Sequence, residues 1–187
     1  YRLAENHGQL AGHFSYAQAE WLSGWIALRF LQDGQTALRH FAALHSNVKF
    51  PVSVARAAYW AGRANMALNR EEDGKKWYQA AASHPSTYYG QLAIQALGPE
   101  AEWRMPREPR PSKAAMKEFK GRELVRLTRI LLELKQEEHL RPFILHLTRS
   151  AADPSGRVLA AHLGQGLGQP ALAVRSAKLS LRAGTLL

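Results

Sequence analysis

Apolar side chains recur at intervals of three and four residues along the chain, which is the spacing of an amphipathic helix. Four such sets stand out: Trp21, Leu22, Trp25, Leu28 and Leu31; Leu38, Phe41 and Leu44; Leu124, Leu127, Leu131 and Leu134; and Leu159, Leu163 and Leu167. No convincing alternation of apolar and polar residues marks a strand, and Pro51 interrupts the β-forming run 48–52. The pattern therefore predicts an all-α protein.

Short polar segments separate the predicted helices. They contain a glycine beside a polar residue, as in Asp33-Gly34, Asp73-Gly74 and Gly168-Gln169-Pro170. Glycine accepts the left-handed conformation that ends a helix, and proline suits the first turn of the next one. We therefore expect these glycines to close helices. Short polar residues that suit helix N-caps are Ser86, Ser112 and Asp153.

The helix–turn–helix unit is repeated. Gly24 and Gly62 lie beside bulky aromatic residues and are 38 positions apart, near the period of about 34 residues of tetratricopeptide repeats. We expect both glycines to let a second helix pack closely, with Trp60 largely buried beside Gly62. Because one hairpin cannot bury its own apolar face, stacked hairpins must share a core. This predicts a right-handed superhelical solenoid of stacked helical hairpins, tetratricopeptide-like in form.

A proline-rich segment divides the chain. It contains Pro99, Pro106, Pro109 and Pro111, with Arg104, Arg107 and Arg110 between them. Proline stops a helix and pushes the residue before it toward an extended conformation. We expect a helical-repeat superhelix over residues 1–97, a Pro/Arg-rich connector over 98–112, and a second helical segment over 113–187 that closes the superhelix.

Composition and charge narrow the classes of function. The chain of 187 residues has no cysteine, which excludes disulfides, thiolate metal sites and a cysteine nucleophile. Its net charge of +10 favours polyanions such as nucleic acid, anionic lipid or a carboxylate-bearing cell wall. The cations are scattered, so no specific nucleic-acid site is expected. No apolar run is long enough for a transmembrane segment. The chain begins at Tyr1 without a signal peptide, so we expect an excised or processed piece.

Two stretches resemble a known protein family. They are residues 19–31 and 55–93, the latter including Trp60-Ala61-Gly62-Arg63-Ala64, Trp77-Tyr78-Gln79-Ala80-Ala81 and Thr87-Tyr88-Tyr89-Gly90-Gln91-Leu92-Ala93. They resemble the helical superstructure of soluble lytic murein transglycosylases, periplasmic enzymes that cut the glycan strands of peptidoglycan and form 1,6-anhydromuramyl products. In that family this region is scaffold, and a separate lysozyme-like domain carries the chemistry. The resemblance covers essentially the whole chain and is stronger over 19–97 than over 112–187.

The resemblance implies that this chain alone is not an enzyme. The family's catalytic domain carries a Glu-Ser pair and a Gly-Leu-Met-Gln segment. This sequence has no Glu-Ser pair, and Gly166-Leu167-Gly168-Gln169 has glycine in place of methionine. The acidic clusters at residues 71–73 and 137–138 fall at predicted helix starts, where negative charge favours the helix dipole. No catalytic residue is therefore assigned.

No cofactor or metal is expected either. The histidines show no His-x-x-x-His spacing, so a zinc site is not predicted. We interpret them as isolated surface or half-buried residues. A dinucleotide site lacks the strand that must precede its glycine-rich turn.

The candidate binding residues are basic or aromatic: Arg56, Arg63, Tyr88, Tyr89, Arg104, Arg107 and Arg110. Arg56 and Arg63 are seven apart, so they could share a helix face and bind the stem-peptide carboxylates of peptidoglycan. They could instead pair with Glu20 inside the fold, and we favour that structural pairing. Adjacent residues on a helix point about 100° apart, so one tyrosine of the pair could be exposed. Core packing is the expected role of Trp21 and Trp60.

The sequence thus predicts a non-catalytic superhelical scaffold of a periplasmic lytic transglycosylase. Its implied partners are peptidoglycan and the catalytic domain of the same polypeptide. The alternative is a stand-alone tetratricopeptide-like protein–protein interaction module, with a protein or peptide in its concave groove. A basic nucleic-acid binder is a more distant third.

Overall fold

The computed structural model describes residues 1–99, 101 and 103–186, apart from the side chain of Leu3. All regular secondary structure in these ranges is helical and none is strand, so the all-α prediction is confirmed. The chain forms two compact units, Tyr1–Met105 and Pro106–Leu187. Their boundary falls within the predicted connector, while the three-part division itself stays a prediction. Within the described residues, no helix has both the length and the apolar character needed to cross a membrane.

The first unit contains six helices among its described residues. They are α1 (Arg2–Glu5), α2 (Phe14–Arg29), α3 (Gly34–Asn47), α4 (Pro51–Ala67), α5 (Glu71–Ala82) and α6 (Tyr88–Leu97). From α2 onward each helix packs against the next, and α4 also contacts α2 and α6. The core is rich in alanine around the fully buried Phe41 and Leu44. Small side chains let the helix backbones approach closely.

The glycines of α2 and α4 set this close approach. A Cβ atom added at Gly24 would lie 2.7 Å from Cε1 of Phe41, and one added at Gly62 would lie 2.6 Å from Cδ1 of Tyr78. In both hairpins an aromatic ring of the second helix therefore fills the space above a glycine of the first. The predicted packing role of Gly24 and Gly62 is confirmed, and Trp60 beside Gly62 is partly buried.

Most turns between paired helices differ in register from the prediction. Gly168 has a left-handed φ of 72°, as expected, but elsewhere the left-handed residues are Gln32 (54°), Asn69 (57°) and Lys135 (57°). Near two of these turns a backbone N–H donates to the carbonyl five residues earlier. Arg70 donates to Asn65 and Gln169 donates to Gly164, at 2.9 Å each. These are the six-residue bonds of a Schellman motif, which favours glycine but admits asparagine.

Gly34 and Gly74 have a different role from the one predicted. They lie in the first turns of α3 and α5. An added Cβ would lie 3.0 Å from Cγ of Leu68 at Gly34 and 2.9 Å from Cε of Met66 at Gly74. Both glycines therefore make room for a neighbouring side chain rather than closing a helix.

The helix caps follow the sequence with one shift. Ser112 accepts a hydrogen bond from the amide of Ala115, and Asp153 accepts one from the amide of Gly156. The prediction for Ser86 is wrong by one residue, because the hydroxyl of Thr87 accepts the bond from Gly90 N–H at 3.0 Å. That hydroxyl also donates to the carbonyl of His84, which holds the start of α6 in place.

The second unit consists of five α-helices and a 3₁₀ turn within its described residues. They are α7 (Lys113–Gly121), α8 (Glu123–Glu133), the turn Glu137–His139, α9 (Leu140–Arg149), α10 (Pro154–Gly166) and α11 (Pro170–Arg182). Leu140 and Ile144 of α9 are fully buried. Beside them, the buried hydroxyl of Thr148 donates to Ser176 at 3.0 Å and joins α9 to α11.

We predict that Gly62→Ala destabilises the chain by about 1–3 kcal/mol, since its methyl group overlaps the ring of Tyr78. Chemical denaturation measures the change in the free energy of unfolding. Gly166→Ala is the matched control, because nothing lies within 4 Å of its Cβ position. It should be neutral or slightly stabilising. Equal stability of Gly62→Ala and the parent would contradict the packing role.

Two half-buried histidines make stability depend on pH. His45 of α3 packs edge-on against Trp77, with ring centroids 5.1 Å apart. Burial lowers the pKa of His45, and burial together with the nearby charge of His45 lowers the pKa of His84. A histidine whose pKa is lowered by folding binds its proton more readily in the unfolded chain. Its contribution to stability is therefore present above the ordinary pKa of about 6.5 and is lost on acidification.

We predict that the melting temperature falls as pH drops from about 7.5 to about 5.5. The double substitution His45→Gln and His84→Gln should reduce this fall. Melts of both proteins across the range test the effect. If the melting temperature of the double variant falls with pH as steeply as that of the parent, other groups cause the pH dependence.

Candidate functional site

Aromatic side chains of α2, α4 and α6 form a continuous series, the aromatic ladder. It runs through Trp25, Trp21, Trp60, Tyr59, Tyr89 and Tyr88. Trp21 and Trp25 stack with centroids 6.0 Å apart and planes 19° apart. The other contacts are tilted or edge-to-face at 5.1 to 6.4 Å. Such pairs contribute about 0.5–1.5 kcal/mol beyond their burial, so the ladder stabilises the first unit.

The two arginines of α4 lie over this ladder. Arg56 Cζ is 5.0 Å from the ring centroid of Trp21, and Arg63 Cζ is 5.8 Å from that of Trp60. Arg63 also donates from Nη1 to the hydroxyl of Tyr59 at 3.3 Å. The predicted sharing of one helix face is confirmed. A cation–π contact with the ring face holds each guanidinium in place and does not itself use the N–H groups.

The predicted pairing of these arginines with Glu20 is wrong. Glu20 accepts hydrogen bonds from Nδ1 of His40 at 2.7 Å and from Nε2 of His7 at 3.1 Å. Among the described residues, no carboxylate lies within 4.0 Å of Arg56 or Arg63. The imidazoles occupy both oxygens of Glu20, so the two guanidinium groups remain available for an anion.

The guanidinium of Arg56 is partly desolvated. Partial burial lowers the pKa of its guanidinium, and the neighbouring Tyr89 opposes that shift. Its Nε atom is buried without an acceptor, as are the indole N–H groups of Trp21 and Trp60. A buried donor without a partner costs about 1–3 kcal/mol. Three of the four buried side-chain polar atoms that lack a partner in the described residues therefore belong to the ladder or its arginines.

The tyrosines behave as adjacent helical residues should. Tyr88 is 68% exposed, whereas Tyr89 packs against the core cluster around Tyr59 and Tyr78. The prediction that one of the pair is exposed is confirmed. Tyr88 thus presents a phenol face to solvent at one end of the ladder, where a planar or sugar ring could stack.

The three connector arginines do not belong to one unit. Arg104, Arg107 and Arg110 are all exposed. Arg104 belongs to the first unit, whereas Arg107 and Arg110 belong to the second. They therefore form no assigned part of the arginine–aromatic face, which we define as the ladder together with Arg56 and Arg63.

A histidine–glutamate network is the main feature that sequence reasoning missed. His40 is only 6% exposed, which contradicts the interpretation of every histidine as a surface or half-buried residue. Its Nδ1–H donates to Glu20, so in the neutral tautomer its Nε2 accepts from the hydroxyl of Tyr1 at 3.0 Å. His7 likewise joins Glu20 to the amide of Gln9. The network fastens residues 1–9 onto α2 and α3. No single-sequence spacing rule could have identified it.

The remaining sequence motifs have structural positions. The segment 166–169 forms the turn between α10 and α11, as expected. The acidic cluster 71–73 occupies the first turn of α5, where Glu71 binds Lys75 at 2.7 Å. Within the described part of the chain, no three His, Asp or Glu side chains are grouped to hold a metal ion.

Comparison of the chain with protein-family models, with curated protein sequences and with solved structures finds no match. The geometry alone therefore characterises the site. Guanidinium groups without carboxylate partners can take a carboxylate or phosphate through two parallel N–H donors. Partly exposed aromatic rings beside them offer apolar faces. The face suits a ligand that combines an anionic group with an apolar or ring surface.

Removing the charge of Arg56 tests this description. We predict that Arg56→Met keeps or raises the stability of the fold, by up to about 1 kcal/mol, because methionine fills the site without burying an unpaired donor. Lost cation–π attraction of about 0.5–1 kcal/mol limits the gain. Chemical denaturation measures the difference. A loss above about 2 kcal/mol would show that Arg56 is a structural residue and not a ligand-binding one.

Proposed function

We propose that this chain is a non-catalytic, peptidoglycan-binding scaffold region of a periplasmic lytic transglycosylase. In this proposal its hairpins stack as a right-handed, tetratricopeptide-like superhelix. The superhelix positions a separate catalytic domain of the same polypeptide and confines the glycan strand. The arginine–aromatic face contacts the strand, with the arginines on stem-peptide carboxylates and the rings on sugar faces.

The observation that best supports this proposal is that two guanidinium groups lie on tryptophan faces without a carboxylate partner. Arg56 and Arg63 have no carboxylate partner among the described residues, and each lies over an indole ring. Peptidoglycan supplies both complementary groups, namely carboxylates on its stem peptides and pyranose rings along its strands. Bidentate hydrogen bonds to a carboxylate fix orientation as well as adding affinity.

Further support comes from the packing and the resemblance. In the first unit, successive helices pack in sequence order and α4 touches both α2 and α6. This agrees with stacked hairpins sharing one core. The residues that resemble the transglycosylase superstructure, 19–31 and 55–93, are those that build the arginine–aromatic face. The periplasmic location follows from that resemblance.

We predict that the chain co-sediments with purified sacculi and releases no soluble 1,6-anhydromuropeptide from them. The double substitution Arg56→Met and Arg63→Met should reduce binding about tenfold or more, because the carboxylates lose both bidentate partners. Sedimentation at several salt concentrations, followed by chromatography of the supernatant, measures both outcomes. Replacing Arg104, Arg107 and Arg110 with Gln should weaken only the binding seen at low salt.

Arg70→Met is the matched control, because Arg70 is exposed in the same unit and lies outside the ladder. It should leave sacculus binding unchanged. Equal binding by the double variant and the parent would refute the role of the face, and release of anhydromuropeptides would refute the non-catalytic assignment. Binding to carboxylate peptides but not to sacculi would favour the tetratricopeptide-like interaction module.

A further inference from the structure

Positive charge is concentrated in the second unit. Residues 106–187 contain fifteen Lys and Arg against seven Asp and Glu, which is +8 of the chain's net +10. Residues 113–133, which include α7 and α8, hold six of these fifteen cations and three of the seven acids. The placement of these six cations on the helix surfaces therefore matters more than their number.

The cations of α7 and α8 form two rows. At about 100° per residue, positions four and three apart fall within a stripe about 60° wide. One row is Lys113, Lys117 and Lys120 of α7. The other is Arg126 and Arg129 of α8, preceded by Arg122 at the N-cap of that helix. All six are exposed, and within the described residues none has a carboxylate within 4.0 Å. Glu133, one turn beyond Arg129, ends the second row.

An apolar groove lies beside these rows, among α7, α8 and α10. Its volume is about 330 Å³. The floor is formed by Phe119, Val125, Leu159, Leu163 and Leu167, and the exposed Met116 lies at its edge. Lys120 and Arg129, one from each row, form part of its rim together with His162. His162 pairs with Glu108 at 3.3 Å, so the two unpaired cations dominate the charge of the rim.

The depth of the floor indicates what the groove can bind. Phe119 is 6% exposed and Val125 is 1% exposed, so these side chains lie below the cations that border them. An anionic membrane would need apolar side chains that project beyond the cations. A nucleic acid would need the cations but not the apolar floor. A recessed floor instead requires a ligand that inserts its own apolar side chains.

We propose that this groove is a docking site for an acidic amphipathic helix of a protein partner. The apolar stripe of that helix inserts side chains at successive turns between Met116, Phe119 and Leu163. Its flanking Glu or Asp side chains pair with Lys120 on one side and Arg129 on the other. This is the helix-in-groove mode of recognition, with rim charges that fix the orientation of the bound helix.

The inference is independent of the peptidoglycan proposal. It uses only residues of the second unit, whereas the arginine–aromatic face lies wholly in the first. Loss of sacculus binding in the Arg56 and Arg63 variant therefore leaves the groove intact. Failure of either proposal can be told from failure of the other.

The test uses the whole chain and a fluorescent synthetic peptide of eighteen residues. The peptide carries Leu at alternating spacings of three and four and Glu at the flanking positions. We expect saturable binding by fluorescence anisotropy. Lys120→Glu together with Arg129→Glu should weaken it at least about tenfold, because like charges then face each other across the rim. Met116→Ser should also weaken it, at unchanged helicity by circular dichroism.

Lys178→Glu with Arg182→Glu is the matched control. It makes the same change in charge on exposed residues of α11, away from the groove. The proposal predicts unchanged peptide binding for this pair, and no binding of a peptide of the same composition with its leucines scrambled. The proposal is overturned if both charge variants lose peptide binding equally, or if the chain binds the scrambled peptide as tightly as the original. Either result would show nonspecific electrostatic attraction.

Anionic vesicles and single-stranded RNA serve as the competing ligands. Ile130 of α8 and Leu134 directly after that helix are 49% and 63% exposed and do not line the groove, so a membrane would contact them first. Failure of the acidic peptide to bind the unmodified chain overturns the proposal. The proposal is also overturned if the chain binds the peptide only weakly but binds vesicles, and if Ile130→Ser with Leu134→Ser abolishes that vesicle binding. Tighter binding of RNA than of the peptide, sensitive to the same rim charges, overturns it as well.

Discussion

The first unit depends on two places where an aromatic ring lies directly on a glycine. Phe41 covers Gly24 and Tyr78 covers Gly62, each at a distance that leaves no room for a Cβ atom. Van der Waals contact at that separation fixes how closely the two helices of a hairpin approach. The large aromatic residues near each glycine form the aromatic ladder through α2, α4 and α6. Two of them also contact the covering rings, Trp60 with Phe41 of α3 and Tyr59 with Tyr78 of α5.

The aromatic ladder includes buried polar groups without partners, which lower the stability of the fold. A core built only for stability would place apolar side chains where Arg56 and the two indole N–H groups lie. Instead, a partly desolvated guanidinium sits on Trp21 without a carboxylate. Glu20, the carboxylate that the sequence analysis expected to pair with the arginines, instead binds His7 and His40. Buried donors without a hydrogen-bond partner are uncommon in native proteins.

The cores of the two units are built from different kinds of side chain. The first uses alanines and stacked aromatics and is nearly balanced in charge. The second uses branched aliphatic side chains, with buried hydroxyls such as Thr148 and Ser176 satisfied across helices. It carries most of the net charge on outward faces. Amphipathic helices with cations beside an incompletely filled apolar seam leave a groove, as α7, α8 and α10 do.

The sequence by itself determined the helices, their caps at Ser112 and Asp153, and the packing glycines, because apolar periodicity, capping chemistry and residue size act over a few positions. Only the tertiary structure decided the partner of Glu20, since His40 lies twenty residues away on the facing helix. It also placed left-handed turns at Asn69 and Lys135, where the Schellman bonds of the preceding helix end overrode the preference for glycine. The groove likewise required three helices to meet, which no local pattern specifies.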